Sequence, residues 1–109
     1  MSSLVNLDLN LLVALRELLR ERHVTRAAAR VGVTQPAMSA ALGRLRRHFN
    51  DDLLVRQGNQ YVLSPLAEEL RTQVEAVCSA AMRLFAAGSP FDPRESAREF
   101  TLLMSDYSA

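Results

Sequence analysis

Apolar positions recur at helical spacing along most of this chain, and the breaks fall at residues suited to turns. Leu11, Leu12, Leu15, Leu18 and Leu19 form one stripe of an amphipathic helix. Asp8 or Asn6 is placed to cap that helix, which is predicted to run to about Arg22. Arg16, Arg20 and Arg22 lie off the stripe and read as solvated side chains. Residues 1–7 read as a loose arm. The stretch from Val24 to Phe49 then predicts two short helices around Gly32. Ala27, Ala28 and Ala29 form the middle of the first. Thr34 caps the second through its hydroxyl oxygen, and Pro36 sits in the first turn, where its missing N–H costs little. Small residues before a glycine turn let two helices cross closely, as a helix-turn-helix requires.

The second of these helices divides into faces. Met38, Ala41, Leu42, Leu45 and Phe49 share a core-facing stripe. The opposite side carries Pro36, Ala40, Gly43 and Arg47, with Ser39 and Arg44 on its flanks and Gln35 at its N-terminal end. Small residues permit close approach to a DNA major groove. Gln and Arg suit base edges, and Ser and Arg suit phosphates. An ordinary amphipathic surface helix would show the same division, but the alanines, glycine and cap upstream favour the groove-facing reading.

Beyond this helix the periodicity changes. Asn50, Asp51 and Asp52 are polar and turn-like, and the adjacent carboxylates read as solvated. Leu53 to Arg56 and Tyr61 to Leu63 predict two short strands, with turn signals at Gln57, Gly58, Asn59 and Gln60. A hairpin there is the wing of a winged helix-turn-helix. Ser64 and Pro65 open a long helix with Glu68 and Glu69 at its positive end, running to about Ala87, where Gly88 stops it. Ala67, Leu70, Val74, Val77, Ala81 and Leu84 recur at alternating spacings of three and four, a heptad seam that Leu66, Cys78 and Phe85 widen. A helix this apolar needs a partner, so the seam predicts dimerisation. Cys78 reads as a small buried hydrophobe. Residues 89–96, with Pro90 and Pro93, read as a hinge, and residues 99–104 as a strand.

The fold class is therefore mainly α. Residues 1–63 read as a winged helix-turn-helix, residues 64–88 as a dimerisation helix, and residues 89–109 as a hinge and a strand, which the resemblance named below makes the first strand of a truncated further domain. Charge sharpens the division. The formal net charge is only +1, yet residues 1–63 carry nine Arg against five acidic residues, and residues 64–109 carry four Arg against seven. A basic first half suits nucleic acid. All 13 basic residues are Arg, the better bidentate partner for phosphate and guanine. One cysteine leaves no disulfide framework, and the lone His23 and His48 lack the neighbours a metal site needs. No nucleophile–base pair or Gly-rich phosphate loop stands out, so neither an enzyme nor a cofactor is expected. The apolar runs are too short for a membrane span and the N-terminus has no basic start, so the expected location is cytoplasmic.

The run TxAAxxxxxTQPAMSxxxxxL, followed by LLVRQG, resembles the N-terminal domain of LysR-type transcriptional regulators, in the branch of nodulation and aromatic-catabolism regulators. The likeness covers essentially the whole chain, and QPAMS in this setting is specific. Three positions depart from the family pattern: His23 in place of a serine-like cap, Asn50 in place of glycine, and Leu54-Val55 in place of Leu-Phe. The resemblance implies double-stranded operator DNA as partner, contacted by Thr25, Thr34, Gln35, Pro36, Ser39, Ala40, Gly43, Arg44 and Arg47 and by the wing residues Arg56, Gln57, Gly58 and Asn59. It implies a homodimer or higher oligomer on a pseudo-palindromic site. A small-molecule effector would belong to a sensor domain beyond this chain. A helix-mediated protein-interaction module without DNA is the alternative.

Overall fold

The computed structural model describes residues 8–87. The hinge and strand expected over residues 89–109, and the stop at Gly88, lie outside them. The described residues form α1 (Leu9–Glu21), α2 (Val24–Val31), α3 (Gln35–Phe49), β1 (Leu54–Gln57), β2 (Gln60–Leu63) and α4 (Pro65–Ala86). This is a winged helix-turn-helix with a long helix after the wing.

Each helix begins where a side chain can take its orphan N–H groups. Asp8 Oδ1 accepts from the N–H of Asn10 at 3.0 Å and of Leu11 at 3.2 Å. Thr34 Oγ1 accepts from Ala37 at 3.2 Å, and Ser64 Oγ accepts from Ala67 at 3.1 Å. Gly32 ends α2 in the left-handed region at φ 86°, which frees the chain to turn at once into α3. Asn50 ends α3 in the same region at φ 51°.

The core gathers the expected stripes. Leu15, Leu18 and Leu19 of α1 meet Ala27 and Ala28 of α2 and Met38, Leu42 and Leu45 of α3. Leu11, Leu12, Ala41 and Phe49 pack against its edge. Ala27 is fully buried, so the α2–α3 crossing uses the small side chain for close approach.

The wing differs in detail from its expected limits. It is antiparallel, with Leu54 opposite Leu63 and Gln57 opposite Gln60, so only Gly58 and Asn59 form the turn. Gly58 supplies the positive φ of 62° that so tight a turn needs. Leu53 belongs to neither strand. It is left-handed at φ 63° and only 1% exposed. Its conformation is held by Asp51, whose Oδ2 accepts the Leu53 N–H at 2.8 Å and the Ser64 hydroxyl at 2.6 Å. The Ser64 N–H returns to the Leu53 carbonyl at 2.8 Å. Asp51 is thus a knot between the end of α3 and the start of α4, in contrast to the solvated carboxylate expected from the sequence.

Helix α4 packs along α1 and touches β2. Ala67, Val74 and Cys78 are buried in the common core, so this part of the predicted seam is covered within the chain. Burial pushes the Cys78 thiol up, which favours the protonated, packing form. Val77 and Leu84 are instead 52% and 70% exposed, and Phe85 is 56% exposed. The Arg20 guanidinium fastens the two helices, donating through Nε and Nη2 to the Glu75 carboxylate at 2.5 and 2.6 Å. That hydrogen bond holds the Glu75 carboxyl below its ordinary range. Glu17, only 5% exposed, is bound by Arg16 at 2.8 Å and Arg20 at 3.3 Å.

Candidate nucleic-acid interface

The exposed side of α3 begins at its cap. Gln35 and Ser39 are one turn apart, and the Gln35 side-chain amide donates to Ser39 Oγ at 2.9 Å. The bond leaves the Gln35 carbonyl oxygen, its second amide hydrogen and the Ser39 hydroxyl hydrogen available to a ligand. Thr34, Pro36, Ala40 and Arg47 are exposed beside them, and Gly43 is half-buried. Arg44 leans back toward α1, with Nη2 3.4 Å from Asp8 Oδ2. Its guanidinium shares the carboxylate that caps α1.

A methyl group added at Gly43 would meet only the end of the Arg47 side chain, at 3.5 Å. Gly43→Ala is therefore expected to stabilise the fold by about 1 kcal/mol through helix propensity. Gly43→Leu should fold equally well but lose duplex affinity, because it thickens the face opposite the core stripe. Thermal melts and a duplex titration check both halves. Parental DNA affinity in Gly43→Leu would place this face away from the groove.

The wing stands beside α3. Arg56 lies opposite Tyr61 in the hairpin register, with its guanidinium 5.8 Å from the ring centroid and its Nε donating to the Gly58 carbonyl at 3.2 Å. Gln57, Gly58 and Asn59 are exposed at the tip. Arg46, which the sequence reading assigned no role, fixes the wing to α3: Nε donates to the Asp52 carbonyl at 2.8 Å and Nη2 to the Leu54 carbonyl at 3.1 Å. The fork geometry of guanidinium suits two carbonyls at once.

Thr25 is exposed in the first turn of α2, and that helix starts with an unexpected cap. His23 Nδ1 accepts the Arg26 N–H at 3.1 Å, so the imidazole takes the place of a hydroxyl cap. His23, Thr25, Gln35, Ser39, Arg46 and Tyr61 line one open cleft between α2, α3 and the wing. Of the residues expected at DNA, Thr25, Gln35 and Ser39 share this cleft. Arg44 is turned toward α1 and Arg56 is folded onto Tyr61. Arg47 and Arg56 form no ion pair among the described residues. Arg26 and Arg30 are drawn to Glu21, at 3.5 and 3.3 Å. No group of three or more His, Cys, Asp or Glu side chains able to hold a metal lies among the described residues. None of the described helices is long and apolar enough to cross a membrane.

Residues 9–68 match the family described as bacterial regulatory helix-turn-helix protein, lysR family. The chain is 48% identical over 101 residues to Nodulation protein D 1 of Neorhizobium galegae, covering 93% of this chain and 33% of that protein. It spans about a third of the length of the curated relatives it matches. A probable transcriptional regulator from Pseudomonas aeruginosa superposes with a TM-score of 0.72 at 40% identity, over 83% of this chain and 30% of that one. Vibrio fischeri DarR, solved in complex with DNA, has a similar fold: TM-score 0.61 at 22% identity, over 70% of this chain and 26% of its own.

Proposed function

We propose that this chain, which belongs to the lysR family of bacterial regulatory helix-turn-helix proteins, reads duplex DNA in a sequence-specific way through α3 and its wing. The observation that carries this reading is the exposed, mutually oriented Gln35–Ser39 pair on a helix whose outward centre is small or basic. Residues 35–47 enter a major groove, and the wing from Arg56 to Asn59 holds the flanking backbone. Thr25 and Thr34 meet phosphates at the helix starts. Residues 1–63 supply the DNA-reading unit.

The outward stripe of α4 suggests how two copies assemble. Ala76, Val77, Ala80 and Leu84 are exposed at spacings of one, three and four, and the alanines permit close helix approach. Two chains paired there give a two-fold dimer, and a two-fold dimer calls for a pseudo-palindromic operator. Ala67, Val74 and Cys78 stay in the core of each copy, and Leu66, Leu70 and Ala81 flank the pairing face.

Selection of bound duplexes from a random pool tests the reading. Gln35→Ala should cost about 1–3 kcal/mol on the selected site and relax the preference at particular base pairs. Arg56→Ala should weaken all duplexes evenly and reduce the salt slope by about one unit. An equal loss on selected and random DNA for Gln35→Ala would remove the base-reading role. A protein-interaction module without DNA is favoured instead if duplex titrations give no salt-dependent binding.

A further inference from the structure

His23 lies at the cleft between α2, α3 and the wing and is not among the proposed DNA contacts. His23 caps α2 with Nδ1, which accepts the Arg26 N–H at 3.1 Å. A neutral imidazole that accepts at Nδ1 carries its proton on Nε2. The cap therefore fixes the tautomer, and the ring is exposed at the cleft with a single N–H donor. Of the cationic neighbours there, Arg46 is already bound to the carbonyls of Asp52 and Leu54. Among the described residues, His23 Nε2 has no acceptor.

We propose that His23 is a phosphate-contacting residue of the DNA complex, its Nε2–H donating to a backbone oxygen seated at this cleft. The inference rests on the DNA-binding reading above and extends its contact set. Capping alone does not explain an imidazole, since serine or asparagine caps a helix at least as well. The imidazole adds reach and a second, outward nitrogen. A donor at the edge of the α3 surface is placed to hold the strand that borders the groove. Its bond to an anionic oxygen is charge-assisted, and it positions the protein without reading sequence.

The test uses the 109-residue chain with His23→Ser and His23→Asn, which keep the cap and remove the reach. Both variants should melt at or above the parental temperature. Both should bind the selected duplex and a random duplex about tenfold more weakly, with the ratio between the two unchanged. A scan of single methylphosphonates along the selected duplex should show one position that weakens the parent and no longer weakens His23→Ser. Parental affinity in either folded variant overturns the proposal, as does a loss confined to the selected duplex, which would mark a base contact. Failure of the parent itself to retain any duplex is a different result, and it sinks the DNA reading as a whole.

Discussion

Val77→Glu combined with Leu84→Glu is expected to produce a folded monomer that has lost operator binding out of proportion to half-site binding. Both side chains are largely exposed and lie two turns apart on the outward face of α4. Burying one such side chain at an interface contributes about 1.5–3 kcal/mol, and the exchange removes it from both copies while setting like charges across the seam. The winged domain should stay intact, because its core is built from Leu15, Leu18, Leu42 and Leu45. Val74, an equally natural choice from the heptad pattern, is 6% exposed, and a carboxylate there would disrupt the monomer itself. A monomer still meets one half-site but forfeits the effective concentration that links the second contact to the first. Operator affinity should fall about 10²–10⁴-fold. Sedimentation and titrations on duplexes with one and two half-sites provide the measurement. A double variant that sediments as a dimer and holds the operator would place the interface elsewhere.

Asp51→Ala should cause the largest loss of stability among exchanges that remove no apolar side chain. The carboxylate accepts the N–H of a buried, left-handed leucine and the hydroxyl of the serine that caps α4. Hydrogen bonds to a charged acceptor contribute about 1.5–3 kcal/mol, and the left-handed Leu53 persists only because its surroundings hold it. We expect a loss of about 3 kcal/mol, equivalent to a fall in melting temperature of about 15 °C. Asp52→Ala is the control, since that side chain is exposed and adjacent. Asp51→Asn should fall between the two. Equal melting of the two alanine variants would mean that Asp51 does not act as the knot.

The contrast between these neighbouring aspartates shows where sequence reasoning stops. Local signals act within a few residues, so the caps at Thr34 and Ser64 and the turn at Gly32 are legible in the sequence, which also narrows the α1 cap to Asn6 or Asp8. So is the core face of α3, because periodicity records which side is apolar. Asp51 bonds across 13 residues to Ser64, and nothing in a one-dimensional pattern marks that distance. Leu53 looked like a strand residue because its side chain is apolar, and its positive φ follows only from the knot around it. The seam of α4 divides in the fold: heptad spacing marks one apolar stripe, but only tertiary packing decides that its Ala67, Val74 and Cys78 edge is covered within the chain while Val77 and Leu84 stay exposed. In the sequence His23 stands only as a departure from a serine-like cap, while in the fold its ring nitrogen serves as the cap.

The Arg20–Glu75 clasp and the burial of Val74 and Cys78 fix α4 to the winged domain as far as Cys78, and its far end extends past that anchorage. At 1.5 Å per residue its 22 residues span about 33 Å. Such a helix is a lever arm. With the crossing at Ala76 to Leu84, the arm back to Pro65 is about 22 Å, so a change of about 10° in the crossing angle displaces the winged end by about 4 Å, close to one base-pair step. In the proposed dimer, that angle sets the spacing between half-sites, and whatever turns it slides one reading head along the duplex.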